Sequence, residues 1–100
     1  MALLSRRITT TELRGRLGFR GVAITDDLDV TALRGLAGPG TLALRATTAG
    51  NDLLLFAQDP DRARRGLNAV IAAVASGRVS RAALVTSVRR VVALRGAVAP

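Results

Sequence analysis

One hundred residues suffice for a single small domain with a modest core, and 49% hydrophobic residues argue against disorder, although aromatics at 2% leave Leu, Val, Ile and Ala to fill the interior. The absence of Cys and His excludes disulfides, thiolate chemistry and imidazole acid–base or metal chemistry, so carboxylates must carry any proton transfer. The net charge of +8 rests on Arg alone; these arginines are scattered and no aromatics interleave with them, so they read as solvated helix faces rather than a nucleic-acid surface.

The predicted elements run as follows. Thr9-Thr10-Thr11-Glu12 opens a first helix, with Thr9 and Glu12 at capping-box spacing. Leu13 and Leu17 share a face, Gly18 fits a left-handed C′ position, and Phe19 is its apolar companion. Residues 21–25 form a short strand, apolar on both sides as in a parallel sheet covered by helices, and it runs straight into Asp26-Asp27-Leu28-Asp29. Residues 35–40 read as a loop. Thr41 to Ala49 is a helix stopped by Gly50, and Asp52 to Phe56 is a second buried strand. Asp59 followed by Pro60 is an N-cap with proline at the first helical position; the helix extends to about Ser76 with Leu67, Val70, Ile71 and Val74 inward, and Gly77 stops it. Ser80 caps a last helix with Leu84, Val88, Val91 and Val92 on one face.

No internal repeat, low-complexity tract or linker divides residues 1–100, which read as one unit. The apolar stretch from Leu67 to Ala75 is too short to span a membrane. At the N-terminus, Met1-Ala2-Leu3-Leu4-Ser5-Arg6-Arg7 has its charges after a very short apolar run, the reverse of an export signal, so the default compartment is cytoplasmic and no membrane partner is expected. Strands alternating with helices imply an α/β fold with parallel pairing. Two strands do not make a stable sheet, and two strands apolar on both faces expect neighbours, so the chain reads as part of a larger α/β sheet or barrel.

In parallel α/β folds chemistry sits beyond the C-terminal ends of the strands. Asp26 and Asp27 fall there, and Gln58 at the end of the second strand borders the same place; Asp59 is explained as a helix cap. The acidic run has three readings: a catalytic carboxylate, a hard-cation site, or a structural turn capped by Asp27 or Asp29. The cation reading is the weakest, because no second acidic cluster completes a shell.

Four collinear segments carry a family resemblance. Residues 13–30, LRGRLGFRGVAITDDLDV, resemble the "LR-x-x-LGF-x-G-x-x-x-TDDL-x-M" block of family 3 glycoside hydrolases of the β-N-acetylhexosaminidase type. Residues 49–56, AGNDLLLF, are similar to their "AGNDLLL" block; residues 75–80 and 87–91 resemble their "SG-x-(I/L)-(S/P)" turn and "S-V-x-R-(V/I)" helix. The resemblance implies the C-terminal piece of a (β/α)₈ TIM barrel: the last two β/α units plus a C-terminal helix. It implies Asp26 as the nucleophile of a retaining hydrolase, Asp27 in a supporting, substrate-binding role, and a carbohydrate substrate of the N-acetyl-β-glucosaminide kind; Gln58 is a substrate-binding candidate from its strand-end position, and no cofactor or metal is expected.

Val30 departs from the family's Met. More consequentially, the family's "KH-x-PG-x-G" block and its His-bearing loop, which supplies the acid–base group, have no counterpart here. The segment from Val30 to Thr41 is shorter than usual. The chain is therefore expected to be silent in isolation. Two alternatives stand beside this reading: an Arg-rich helical module binding an anionic partner, and a chain that self-associates through exposed strand edges to complete a sheet.

Overall fold

The computed structural model describes residues 5–98; the apolar run at Ala2-Leu3-Leu4 lies outside the described residues. The elements are an opening π-helix (Arg7–Arg16), β1 (Ile24–Asp27), α1 (Thr31–Leu36), α2 (Pro39–Ala49), β2 (Leu53–Leu55), α3 (Pro60–Ala75) and α4 (Arg81–Val98). The class is α/β: β1 and β2 pair in parallel, Ile24 opposite Leu53 and Asp27 opposite Leu55. Three steps on β1 thus match two on β2, which is a bulge.

The opening helix starts earlier than its Thr9-to-Glu12 spacing predicts, and Thr9 is not its cap. Thr9 lies buried inside the helix. At the N-terminus, Ile8 N–H donates to Ser5 Oγ at 3.3 Å. The neighbouring Thr10 hydroxyl donates instead to the Ala49 carbonyl at the end of α2, at 2.7 Å. The helix closes with Leu17 N–H on Glu12 O and Phe19 N–H on Leu13 O. Gly18 takes φ +69° between them, the left-handed turn its position predicts. Leu17, expected to share an inward face with Leu13, is exposed.

The expected loop at 35–40 shrinks to residues 37–38 between α1 and α2. α2 begins at Pro39 rather than Thr41, since proline's fixed φ suits the first helical position. Its end is as expected: Gly50 at φ +110° returns its N–H to Thr47 O. The core is small. Leu28, Leu33, Leu42 and Ala46 are fully buried, with Ala37, Leu54 and Phe56 packed on them.

Asp59 caps α3 as predicted, Oδ1 accepting from Asp61 N–H at 2.9 Å, with Pro60 following. The inward face of α3 is only partly the one its large side chains suggest: Val70 and Val74 are half-buried, as expected. Leu67 and Ile71 are exposed, whereas Gly66 and Ala73 are buried. The reason is the close approach of α2: a Cβ on Gly66 would lie 3.1 Å from the Phe56 ring and 3.2 Å from Ala43 Cβ, and one on Gly40 would lie 3.1 Å from Ala69 Cβ. Only small residues fit between these backbones. α4 also departs from expectation. It buries none of its residues fully; Val88 and Val92 are exposed, and its attachment to the sheet is polar. Among the described residues no helix is long and apolar enough to cross a membrane.

Both strands were expected to be covered on both faces. The structure covers one: Thr25 is buried and Leu54 half-buried, while Ile24, Leu53 and Leu55 are exposed.

Candidate active site

The C-terminal edge of β1 carries the acidic run, and Asp26 and Asp27 belong to the strand itself rather than to the turn after it. Exposure along the strand alternates: Ile24 and Asp26 are exposed, Thr25 is buried and Asp27 half-buried. The bulge acts on the pairing, since an extra residue on one strand leaves a ladder amide without its usual acceptor. Here that amide is Leu55 N–H, and the buried Thr25 hydroxyl accepts it at 3.0 Å. The Leu28 N–H then donates to Leu55 O at 2.8 Å and pairing resumes.

The three acids of the run end in different states. Asp26 is exposed, and among the described residues its carboxylate has no hydrogen bond or ion pair. Asp27 is half-buried and engaged: Oδ1 accepts from Asp29 N–H and Ala57 N–H, both at 2.9 Å, and Oδ2 from Gln58 Nε2 at 3.2 Å. Asp29 is fully buried: Oδ2 accepts from Gln58 N–H at 3.1 Å and Asp59 N–H at 2.8 Å, and Oδ1 from Arg62 Nε at 2.7 Å. Two carboxylates from β1 and its following turn therefore clasp three successive amides, 57–59, beyond β2. The clasp brings Gln58 against Asp27.

Burial acts to raise the Asp29 carboxyl. The Asp59 N–H, Arg62 and the Gln58 N–H outweigh burial and hold it below the ordinary 3.8. Arg62 Nη2 is itself buried and has no partner among the described residues.

Sequence reasoning placed Asp26, Asp27 and Gln58 near one another but gave Asp29 only a turn-capping role and Arg62 none. Their roles depend on contacts across 29 to 33 residues. The one local signal was Asp29 itself, a third acid following the apolar Leu28 and preceding the apolar Val30.

The opposite end of the sheet holds a second buried carboxylate. Asp52 accepts from Ala23 N–H, Arg14, Ser87 and Arg90, which join the opening helix, β1 and α4 to the start of β2. Burial acts to raise Asp52 as well; Ser87, the Ala23 N–H, Arg90 and Arg14 together bring it below 3.8. Arg14 also donates to Gly21 O and lies 5.7 Å above the Phe19 ring. A cavity of about 670 Å³ lies at this end beneath α4, and its lining includes neither Asp26 nor Gln58. Among the described residues no group of three or more acidic side chains is arranged to hold a metal ion. The exposed carboxylate beside a fixed polar loop can act as a nucleophile or a charge stabiliser.

The chain matches the model of the glycosyl hydrolase family 3 N-terminal domain over residues 1–94. It belongs to this family. Among solved family 3 structures, the β-N-acetylglucosaminidase of Paenibacillus sp. str. FPU-7 is 40% identical and superposes with a TM-score of 0.91 over 95% of this chain and 18% of its own. The β-N-acetylhexosaminidase of Beutenbergia cavernae is 36% identical, with a TM-score of 0.88 over 95% of this chain and 28% of its own. Among curated relatives, an uncharacterized secreted glycosyl hydrolase of Arthroderma benhamiae is 36% identical over 92% of this chain and 26% of its own. A β-hexosaminidase of Xylella fastidiosa strain M12 is 37% identical over 78% of this chain and 22% of its own. The family 3 chain described here thus spans roughly a quarter of the curated relatives it matches.

Proposed function

We propose that this chain carries the nucleophile-bearing edge of a retaining glycoside hydrolase that acts on N-acetyl-β-hexosaminides, with Asp26 as nucleophile. The observation that carries the proposal is the contrast among neighbouring acids. Asp27 and Asp29 are engaged by backbone amides, and Asp26, beside the bulge, is exposed and uncommitted. In the proposed reaction the Asp26 carboxylate attacks the anomeric carbon and the aglycone leaves. Water then hydrolyses the glycosyl–enzyme with net retention. Asp27 holds Gln58 in place, and Gln58 offers its amide to the sugar.

The chain is proposed to be the last two β/α units and C-terminal helix of a (β/α)₈ barrel. Three features support this: the parallel pairing, the exposed apolar face of Ile24, Leu53 and Leu55, and the unpaired buried Arg62 Nη2, which calls for an acceptor from elsewhere. The names of the Paenibacillus and Xylella relatives support the sugar class. Retaining hydrolysis also needs a proton donor about 5 Å from the nucleophile. Asp27 is engaged by three hydrogen bonds and the chain has no His, so the donor comes from outside these residues.

The purified chain is therefore expected to give no turnover of an aryl N-acetyl-β-glucosaminide. Turnover that disappears in Asp26→Asn would keep the nucleophile and overturn the need for further strands. In a polypeptide that supplies those strands, a slowly hydrolysed glycosyl intermediate should be recovered on the peptide bearing Asp26; recovery on any other residue removes the assignment.

A further inference from the structure

A second site, away from the acidic edge, is suggested by the distribution of charge. Arg6 precedes the opening helix, Arg45 lies in the middle of α2, and Arg78 sits in the turn between α3 and α4. These three residues, far apart in sequence, line one concavity of about 390 Å³ together with Thr41 and Thr48. No carboxylate lines it. Among the described residues none of the three arginines forms an ion pair; the bridging arginines are Arg14, Arg16, Arg62 and Arg90.

The chain's acids are engaged or distant. Asp52 is taken by Arg14 and Arg90, and Glu12 by Arg16. Asp26, Asp27, Asp29, Asp59 and Asp61 belong to the other end of the sheet or the start of α3. Three arginines lining one hollow concentrate positive charge there, which an anion would neutralise. Guanidinium forks match the oxygens of a phosphate bidentately, and threonine hydroxyls supply further donors.

We propose that this concavity is a binding site for a phosphate group held by Arg6, Arg45 and Arg78. The hollow is larger than a bare phosphate, and Arg6, Thr48 and Arg78 also line the adjoining cavity beneath α4, which gives a substituent on the phosphate a way out. The site is independent of the glycosidase reading, since it uses none of the residues at the acidic edge.

The test is a titration of the isotopically labelled 100-residue chain, in phosphate-free buffer of low ionic strength, with inorganic phosphate, methyl phosphate and dimethyl phosphate, followed by amide NMR shifts. Saturable binding of phosphate is expected, with shifts centred on Arg6, Thr48 and Arg78. Arg45→Gln and Arg78→Gln should each weaken it roughly tenfold, with Arg64→Gln as the unchanged control. Binding of phosphate and methyl phosphate but not dimethyl phosphate supports a terminal phosphate ligand; binding of all three supports a diester as well. Absence of saturable binding, shifts centred on Arg62 to Arg65, or unchanged affinity in both Arg45→Gln and Arg78→Gln would overturn the proposal.

Discussion

The two ends of the small sheet solve the same physical problem differently. Each buries a carboxylate completely and pairs it with arginine: Asp29 with Arg62 at the C-terminal edge, Asp52 with Arg14 and Arg90 at the N-terminal edge. At the Asp52 end every acid present is engaged, and its partners come from the opening helix, β1 and α4. At the Asp29 end the partners come mainly from one loop, and a third acid, Asp26, stands outside the network. The first arrangement ties elements together. The second fixes a surface and leaves one carboxylate exposed on it. Burial and full partnering thus distinguish the structural acids at both ends of the sheet from Asp26, the acid proposed as nucleophile.

Substitutions can break this comparison in order of effect. Asp52→Asn should be the most damaging, because it leaves Arg14 and Arg90 without a counter-charge in a buried setting; a loss of about 3–5 kcal/mol in denaturant unfolding is expected. A loss below about 1 kcal/mol would show that α4 is held by something other than this knot. Asp29→Asn keeps the shape but removes the charge opposite Arg62, and should cost about 2–3 kcal/mol.

Acid should act on both ends together. Asp29 and Asp52 have folded values depressed below 3.8, so their contribution is fully present above that value and is lost as pH falls through the folded ones. Unfolding free energy measured downward from pH 5 should fall below about pH 4, and this fall should be shallower in Asp29→Asn. Asp26→Asn should be the mildest change, within about 0.5 kcal/mol of the parent, since Asp26 touches nothing that the fold requires. A large destabilisation by Asp26→Asn would mean the acid has a structural partner and would undo the contrast between the two ends.

Punctuation was legible in the sequence. Gly18 and Gly50 take left-handed φ, Asp59 caps α3 ahead of Pro60, and the acidic run meets the end of a parallel strand. These features depend on one residue's backbone or its immediate neighbours. What was not legible depends on partners distant in sequence. The Thr9 capping spacing was overridden because the helix begins two residues earlier and buries Thr9. The inward face of α3 was half legible: Val70 and Val74 turn inward, but Leu67 and Ile71 do not, because the close approach of α2 beside Gly66 favours small residues. The bulge between Ile24 and Asp27 was not legible because register against β2 is not written in either strand alone. Asp26 was found by position and resemblance, but the reason it is uncommitted lies in what Asp27 and Asp29 do with amides 57–59.

The hydroxyl of Thr25 has a consequence for which sequences this edge accepts. Because the bulge leaves Leu55 N–H facing that side chain, the position before the exposed acid needs an oxygen on its β-carbon. Valine has the same shape and would fill the space, but it would strand the amide. The residue preceding the acid is thus set by the hydrogen bonding of the neighbouring strand. Chains that keep the acid but lose the hydroxyl should be poorer at folding this corner before any question of catalysis arises.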